Sequence, residues 1–269
     1  MFIVGEKING TRKLVAKAIA ERDVTYIQDL AEKQVEGGVT WLDINAGVTP
    51  EKENEALIWL IETVQAVTDT TLCLDSANPA AIAAAIGHVK KTPMINSISG
   101  EAKKLEGILP LVSRNKCPVI AQALDDKGIP KDVANRLMII RRLVDETRKA
   151  GVADKDVYID PLIMSLATNT QAGLIALDTI KAISAEFPEV HIMPALSNVS
   201  FGMPARTIIN QAFLVLAVEA GMDCAILDPT DKGLHSSIMA TEVVLGRDRY
   251  CLNYSRAFRA GQLSVLPKT

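Results

Sequence analysis

Short apolar runs alternate with longer stretches of helical periodicity along almost the whole chain. Each run is rich in Ile, Val, Leu and Ala, and each precedes a segment whose apolar residues recur at the spacing of an amphipathic helix. The predicted strands are 2–8, 40–46, 71–76, 93–99, 118–124, 157–162, 191–199 and 224–228. The predicted helices are 13–36, 51–67, 79–87, 101–115, 131–150, 171–185, 206–220 and 234–246, and a further helix is predicted at 250–260.

Eight strand–helix units of about 30 residues each predict a single α/β domain of the (β/α)8 TIM-barrel type over residues 1–269. The last predicted segment adds an extra C-terminal helix to that barrel. No Gly/Ser-rich or Pro-rich linker divides the chain. The alternative is an open, doubly wound sheet, but no Gly-x-Gly-x-x-Gly sequence follows the first predicted strand.

Composition supports a globular protein with an aliphatic core. Hydrophobic residues make up 48% of the chain and aromatic residues only 4%, a texture typical of parallel sheets that are buried on both faces. The formal net charge is −3 and no basic stretch is interleaved with aromatics, which argues against nucleic-acid binding. No apolar run approaches the ~20 residues that a membrane helix needs. The first residues do not resemble a secretory signal, so we expect a cytoplasmic protein.

Polar side chains stand at or just beyond the ends of most predicted strands. In a barrel, the C-terminal strand ends meet at one rim, where barrel enzymes place their active sites. Buried polar groups are costly unless they find partners, so a ring of them predicts a polar binding pocket. The residues predicted to form this rim are Glu6, Asn9, Asp43, Asn45, Asp75, Asn96, Gln122, Asp160, Asn198 and Asp228.

Several chemistries compete for this rim. The three histidines are isolated and lack zinc-ligand spacing, and no Gly-x-Ser-x-Gly sequence indicates a nucleophilic serine. A Mg²⁺ site built from Asp43, Asp75 and Asp160 stays an alternative. Asp43 and Asp228 could equally be helix caps or loop ties. Buried aspartates also accept hydrogen bonds from adjacent N–H donors, which predicts a flat ligand such as a 2-amino-4-oxo-pyrimidine.

Three strand ends, Leu-Asp-Ser at 74–76, Met-Ile-Asn-Ser at 94–97 and Tyr-Ile-Asp-Pro at 158–161, resemble the pterin-binding barrel family. That family includes dihydropteroate synthase, the folate domain of cobalamin-dependent methionine synthase and the methyltetrahydrofolate:corrinoid protein methyltransferases. The segments Gly-Glu-Lys-Ile-Asn at 5–9 and Ser-Asn-Val-Ser-Phe-Gly at 197–202 resemble the last group. The signature that dihydropteroate synthases carry after strand one is absent, since Thr-Arg-Lys stands at 11–13.

The resemblance implies a methyltransferase that moves a methyl group between N5 of tetrahydrofolate and the cobalt of a corrinoid. It implies that Asn198 lies at N5 as the catalytic residue and that the pterin edge is bound by other side chains. The implied pterin or folate contacts are Asp75, Asn96, Asp160, Asn198 and Arg206. Supporting positions are Glu6, Asn9, Asp43, Asn45, Ser197 and Phe201.

The substrates that the resemblance implies are tetrahydrofolate or 5-methyltetrahydrofolate and a corrinoid. We expect the cobalamin to come from a partner corrinoid protein or from solution, because the chain lacks an Asp-x-His-x-x-Gly corrinoid signature. We expect no resident metal and, from the resemblance, a homodimer. The apolar Phe201 favours transfer from methylcorrinoid to tetrahydrofolate. Alternatives are a dihydropteroate synthase-like pterin enzyme and a folate-binding protein without catalysis.

Overall fold

Eight parallel strands form the centre of the part of the molecule that the structure describes, and helices connect each strand to the next. The computed structural model describes residues 1–264. Neighbouring strands follow the order β7-β6-β5-β4-β3-β2-β1-β8, and every pairing is parallel. The strands are β1 (Phe2–Asn9), β2 (Trp41–Asn45), β3 (Thr71–Asp75), β4 (Met94–Ser99), β5 (Val119–Gln122), β6 (Val157–Asp160), β7 (His191–Ile192) and β8 (Cys224–Leu227).

The sheet closes between β7 and β8. The backbone N–H of Ile226 donates to the carbonyl of Pro194 at 3.0 Å, and Ala195 forms a parallel bridge with Ile226. This contact joins the two ends of the strand order. The predicted (β/α)8 barrel is therefore confirmed, and the open doubly wound sheet is excluded.

Ten α-helices surround the barrel within the described residues. They are α1 (Lys13–Glu21), α2 (Val24–Glu36), α3 (Pro50–Gln65), α4 (Pro79–Ile86), α5 (Ala102–Asn115), α6 (Val133–Lys149), α7 (Ala172–Glu186), α8 (Arg206–Glu219), α9 (Lys232–Val244) and α10 (Leu252–Arg259). Helix α10 is the extra C-terminal helix that the sequence predicts. None of the helices described is long and apolar enough to span a bilayer.

The segment predicted as one helix over 13–36 is in fact two helices. Arg22 takes a left-handed conformation with φ of 55°, which ends α1. Asp23 then begins α2 as its N-cap, because its carboxylate accepts the backbone N–H of Tyr26 at 3.0 Å. The apolar periodicity continues across this break, so periodicity alone did not reveal it.

The strand predicted over 191–199 is also wrong at its C-terminal end. Regular pairing of β7 stops after Ile192, and residues Leu196–Ser200 form a 3-10 helix. Pro194 interrupts the strand because it has no N–H to give to a neighbouring strand. As a result, Asn198 is carried by a short helical turn at the mouth of the barrel and not by a strand.

The barrel interior is filled by one apolar layer beneath a polar one. The apolar layer contains one side chain from each of the strands except β7, where Met193 follows the strand directly; successive inward-facing residues are two positions apart. The layer consists of Val4, Trp41, Cys73, Met94, Ile120, Tyr158, Met193 and Cys224. The residue two positions after each of these faces the C-terminal opening, so the alternation of each strand sets the composition of the rim.

Candidate functional site

A cavity of about 480 Å³ opens at the C-terminal end of the barrel. Its floor is formed by the side chains that lie two positions after the apolar layer. These are Glu6, Asp43, Asp75, Asn96, Gln122, Asp160, Ala195 and Ile226. The surrounding loops add Asn9, Thr11, Arg12, Ser76, Ala77, Ser97, Lys104, Leu162, Ser197 and Asn198.

Two carboxamides hold two of the floor carboxylates in place. The Nδ2 of Asn45 donates to Oδ2 of Asp75 at 2.9 Å, and the Nδ2 of Asn96 donates to Oδ1 of Asp43 at 3.2 Å. Asp43 and Asn96 are both buried. Buried carboxylates fixed in this way form a rigid set of hydrogen-bond acceptors, because each side chain has a partner that defines its orientation.

Asp160 lies on the floor at the end of β6 and is 4% exposed. Its Oδ1 accepts the backbone N–H of Leu162 at 2.9 Å. Leu162 takes a left-handed conformation with φ of 59°, which non-glycine residues seldom adopt. The chain turns sharply after the strand, and this turn directs a backbone donor at the carboxylate.

Glu6 connects the first strand to the segment that carries Asn198. Its Oε1 accepts from Nη2 of Arg12 at 2.8 Å, and its Oε2 accepts from Oγ of Ser197 at 3.4 Å. Glu6 and Ser197 were predicted as supporting residues, and the structure brings both to the cavity. Arg12 was not predicted, although it lies only three residues after the end of β1.

Burial governs the ionisation of the floor. It raises the pKa of Asp160 to about 6, and it raises the pKa of Glu6 above its ordinary value. Burial also raises the pKa of Asp75, and it raises that of Asp43 strongly, with the charge of Asp75 as a further cause. Acceptors in such a dry site favour a ligand that donates hydrogen bonds, since its N–H groups replace the water that the carboxylates have lost.

Asn198 lines the cavity, and its neighbour Arg206 supports the turn from outside. The Nη2 of Arg206 donates to the carbonyl of Ser197 at 2.7 Å, and its Nε donates to Oγ of Ser200 at 3.0 Å. Arg206 lines an adjoining cleft that shares Glu6, Arg12 and Ser197 with the main cavity. Arg206 therefore lines the adjoining cleft and not the cavity in which it was expected to contact the ligand.

Phe201 does not lie where the sequence argument put it. Its side chain is 68% exposed and does not line the cavity, and its ring centre lies 5.9 Å from the guanidinium carbon of Arg206. The turn that ends the 3-10 helix directs it outwards. An apolar wall beside the reacting atoms, which was the basis for predicting the direction of transfer, is not formed by this residue.

The other predicted rim residues divide between the cavity and its surroundings. Asn9 lines the cavity, and its Oδ1 accepts from the backbone N–H of Thr11 at 3.0 Å. Asn45 acts on the cavity through Asp75 and does not line it. Asp228 is turned away, because its Oδ2 accepts from Nζ of Lys7 at 2.6 Å.

Lys104 is a lining residue that sequence reasoning missed. It lies in the first turn of α5, with its Nζ 3.4 Å from Oε2 of Glu101, and it acts to lower the pKa of the nearby Asp75. Among the lining residues within 1–264 it is the only lysine, and a cation here offsets part of the negative charge of the floor. No strand-end signal marks it, because its position depends on how the loop after β4 bends.

Within residues 1–264, no group of three or more His, Cys, Asp and Glu side chains is arranged to hold a metal ion. Asp43 and Asp75, two of the proposed Mg²⁺ ligands, are instead hydrogen-bonded to asparagine amides. The arrangement is suited to a flat ligand whose edge carries adjacent N–H donors. The cavity volume lies within the range of small-molecule sites.

Comparisons with solved structures agree with this architecture. Dihydropteroate synthase from Yersinia pestis superposes with a TM-score of 0.70 at 18% identity, over 91% of this chain and 93% of the other. The enzyme from Stenotrophomonas maltophilia gives 0.68 at 22% identity, over 92% and 93% of the two chains. At these identities the likeness establishes the shared fold.

Sequence comparisons identify the family. The chain is 39% identical to a methylcorrinoid:tetrahydrofolate methyltransferase from Eubacterium limosum over 98% of each protein. It is 26% identical to methionine synthase from Mycobacterium leprae, over 84% of this chain but 20% of that longer protein. The family model described as pterin binding enzyme matches residues 5–228, which span most of the barrel and include the whole cavity floor. This chain therefore belongs to the pterin-binding enzyme family.

Proposed function

We propose that this protein is a methyltransferase that moves a methyl group between N5 of tetrahydrofolate and the cobalt of a corrinoid. The observation that carries the proposal is the joint presence of a buried acceptor set and Asn198 in one cavity. The 39% identity to a methylcorrinoid:tetrahydrofolate methyltransferase along both chains supports the same reaction. We further propose that residues 1–269 act as one pterin-binding domain.

In this proposal, Asp75, Asn96 and Asp160 bind the pyrimidine edge of the pterin. Carboxylates accept from its N–H groups, and the carboxamide of Asn96 both donates and accepts. Support comes from the burial of Asp160 and Asn96, which excludes competing water. The raised pKa values of Asp160 and Asp75 give further support, since donors on a ligand stabilise the ionised form that burial disfavours.

Asn198 acts at N5. In transfer to the folate, the N5 lone pair attacks the methyl carbon, and the cobalt–carbon bond breaks with both electrons passing to the cobalt. The N5 proton is then released to water. The oxygen of the Asn198 amide is suited to accept a hydrogen bond from the N5–H group. In the reverse direction N5 must be protonated to leave, so the amide serves as an orienting hydrogen-bond partner in both directions.

The corrinoid enters as a substrate, carried by a partner corrinoid protein or free as cobalamin. We propose methylcorrinoid as the donor and tetrahydrofolate as the acceptor. The basis is the name of the relative from Eubacterium limosum, which states that donor and acceptor. Phe201 gives this direction no support, because its side chain lies outside the cavity.

A spectroscopic assay tests the function. The purified protein is mixed with methylcobalamin and tetrahydrofolate under anaerobic conditions, and the conversion to cob(I)alamin is followed by absorbance; the reverse reaction uses 5-methyltetrahydrofolate and cob(I)alamin. We expect transfer that depends on both substrates. Folate binding without transfer in either direction would instead identify a folate-binding protein. No folate binding would refute the whole assignment.

We also propose a homodimer that pairs through the outer face of α8. Four side chains at helical spacing, Ile208, Ala212, Val215 and Leu216, are exposed on this face, and Ile208 is 70% exposed. An apolar stripe of this kind is costly to leave in water.

A cytoplasmic location completes the proposal, and it is supported by the four cysteines being free thiols, as in a reducing compartment.

A further inference from the structure

Arg136 is a buried cation that stands directly behind the cavity floor. It lies in the first part of α6, and its side chain is 2% exposed. A guanidinium in such a place is costly unless its N–H groups are satisfied. It donates from Nε to the carbonyl of Pro130 at 3.1 Å and from Nη1 to the carbonyls of Pro161 and Leu162 at 2.8 and 2.7 Å.

These bonds act on the turn that positions Asp160. Pro161 and Leu162 follow Asp160 directly, and the backbone N–H of Leu162 donates to the carboxylate of Asp160 at 2.9 Å. Leu162 has a φ of 59°, so the turn is held in a conformation that a leucine does not favour by itself. The planar fork of the guanidinium holds three carbonyls in one fixed arrangement, with Nη1 on the two of the turn and Nε on that of Pro130, which the single ammonium of a lysine does not reproduce.

Arg136 also sets the charge behind Asp160. Burial is the largest influence on this carboxyl and raises its pKa to about 6, whereas the bond from Leu162 and the charge of Arg136 both lower it. Burial lowers the pKa of Arg136 itself, whereas the charges of Asp160 and of Asp132, the N-cap of α6, raise it. Across the cavity, the charged groups are Glu6, Asp43 and Asp75 from the strands, with Lys104 from α5 and Arg12 from the first loop.

We propose that Arg136 is a positioning residue of the folate site, which fixes the turn after β6 and places a positive charge behind Asp160 without contacting the ligand. It is not among the residues that line the cavity. The inference rests on the proposed function, since it takes Asp160 to be an acceptor for the pterin. In this proposal the orientation of Asp160 depends partly on Arg136, which lies 24 positions earlier in the chain on the helix behind the cavity floor.

The test compares binding of 5-methyltetrahydrofolate by calorimetry between pH 5 and 8 in the parent, Arg136→Met and Arg136→Lys. In the parent, affinity should fall as the pH drops through the pKa of Asp160. Arg136→Met removes the cation, so the midpoint of this fall should move up by about one pH unit. Arg136→Lys keeps the charge and loses the fork, so affinity at pH 7.5 should drop several-fold with the midpoint near that of the parent.

The matched control is Arg141→Met on the same helix, whose guanidinium is exposed and pairs with Glu186 at 2.6 Å. It should leave both affinity and midpoint unchanged. A purely structural role of Arg136 predicts weaker binding at every pH with no change of midpoint, and that result in Arg136→Met would overturn the charge part. Parent-like affinity in Arg136→Lys would overturn the positioning part.

Circular dichroism and thermal unfolding establish that each variant is folded. If Arg136→Met does not fold, Arg136→Gln, which retains two donors without the charge, gives the same midpoint test. The two hypotheses fail separately. A parent protein that binds no folate at any pH refutes the proposed function, whereas a parent that binds with the same midpoint as the neutral variant refutes the inference on Arg136 alone.

Discussion

Replacing Asp160 by asparagine removes one charge from the cavity floor and changes the volume of the side chain very little. Oδ1 of Asp160 already accepts the Leu162 N–H at 2.9 Å, so in the proposed complex the second oxygen is the one that accepts from the ligand. An asparagine would keep its oxygen on Leu162 and present its NH₂ group to the ligand. Two donors would then face each other where an acceptor had met a donor.

The loss is at least one hydrogen bond to a charged acceptor, which contributes about 1.5–3 kcal/mol. Asp160→Asn should therefore weaken binding of 5-methyltetrahydrofolate about 10- to 150-fold at pH 7.5. Because the pKa of Asp160 is about 6, the parent should lose affinity as the pH falls below that value, when the carboxyl is protonated. The variant should lack that part of the pH dependence.

Isothermal titration at pH 7.5 and 5.5 measures both effects. The matched control is Asp156→Asn, because Asp156 lies just before β6 at the opposite end of the strand and its replacement should not change binding. Binding by Asp160→Asn within twofold of the parent at pH 7.5 would show that Asp160 is not an acceptor for the pterin. A loss of equal size in Asp156→Asn would point to a general effect on the strand.

Four further results are expected. Asn198→Ala should lower the rate of methyl transfer more than folate affinity, because N5 changes charge during the reaction; equal losses would make Asn198 a plain binding residue. The ligand-free protein should gain thermal stability as the pH falls from 7 towards 5, since carboxyls with raised pKa values bind more protons when folded, and Asp160→Asn should show less of this gain. Leu216→Glu should convert a dimer seen by light scattering into a species near 29.0 kDa, whereas a 29.0 kDa mass in the parent would contradict the dimer. Metal analysis of the purified protein should find no stoichiometric cobalt or zinc.

Alternation within single strands carried most of the sequence prediction. Asp75, Asn96 and Asp160 each follow an apolar residue by two positions, and in a barrel this spacing puts all three on the same rim. The rim could therefore be predicted without knowing the length of any helix. The family resemblance added the role of Asn198, which no pattern of spacing supplies.

The errors lie where local chemistry overrides periodicity. The break between α1 and α2 depends on a left-handed Arg22 and on the cap formed by Asp23, and neither interrupts the apolar spacing. The early end of β7 follows from Pro194, whose carbonyl closes the barrel although its nitrogen has no hydrogen to donate. Arg136 could not be found from sequence, because its partners are backbone carbonyls that only the folded turn brings to it.

Because β7 is short, the mouth of the barrel has two parts whose backbones are held differently. One part is formed by the ends of paired strands, and the other by the 3-10 helix Leu196–Ser200. Backbone N–H groups of Asn198 and Phe201 bond to carbonyls three residues earlier, at 3.3 and 3.1 Å, and not to a neighbouring strand. Backbone amides that donate only within their own turn are released by local unfolding at less cost than those of paired strands. Amide hydrogens of 196–203 should therefore exchange with solvent faster than those of β3 and β4, and slow down once folate reaches Asn198. In the proposed complex the paired strand ends would hold the pterin edge, and the short helical turn that carries Asn198 would be the part of the mouth that adjusts to the corrinoid.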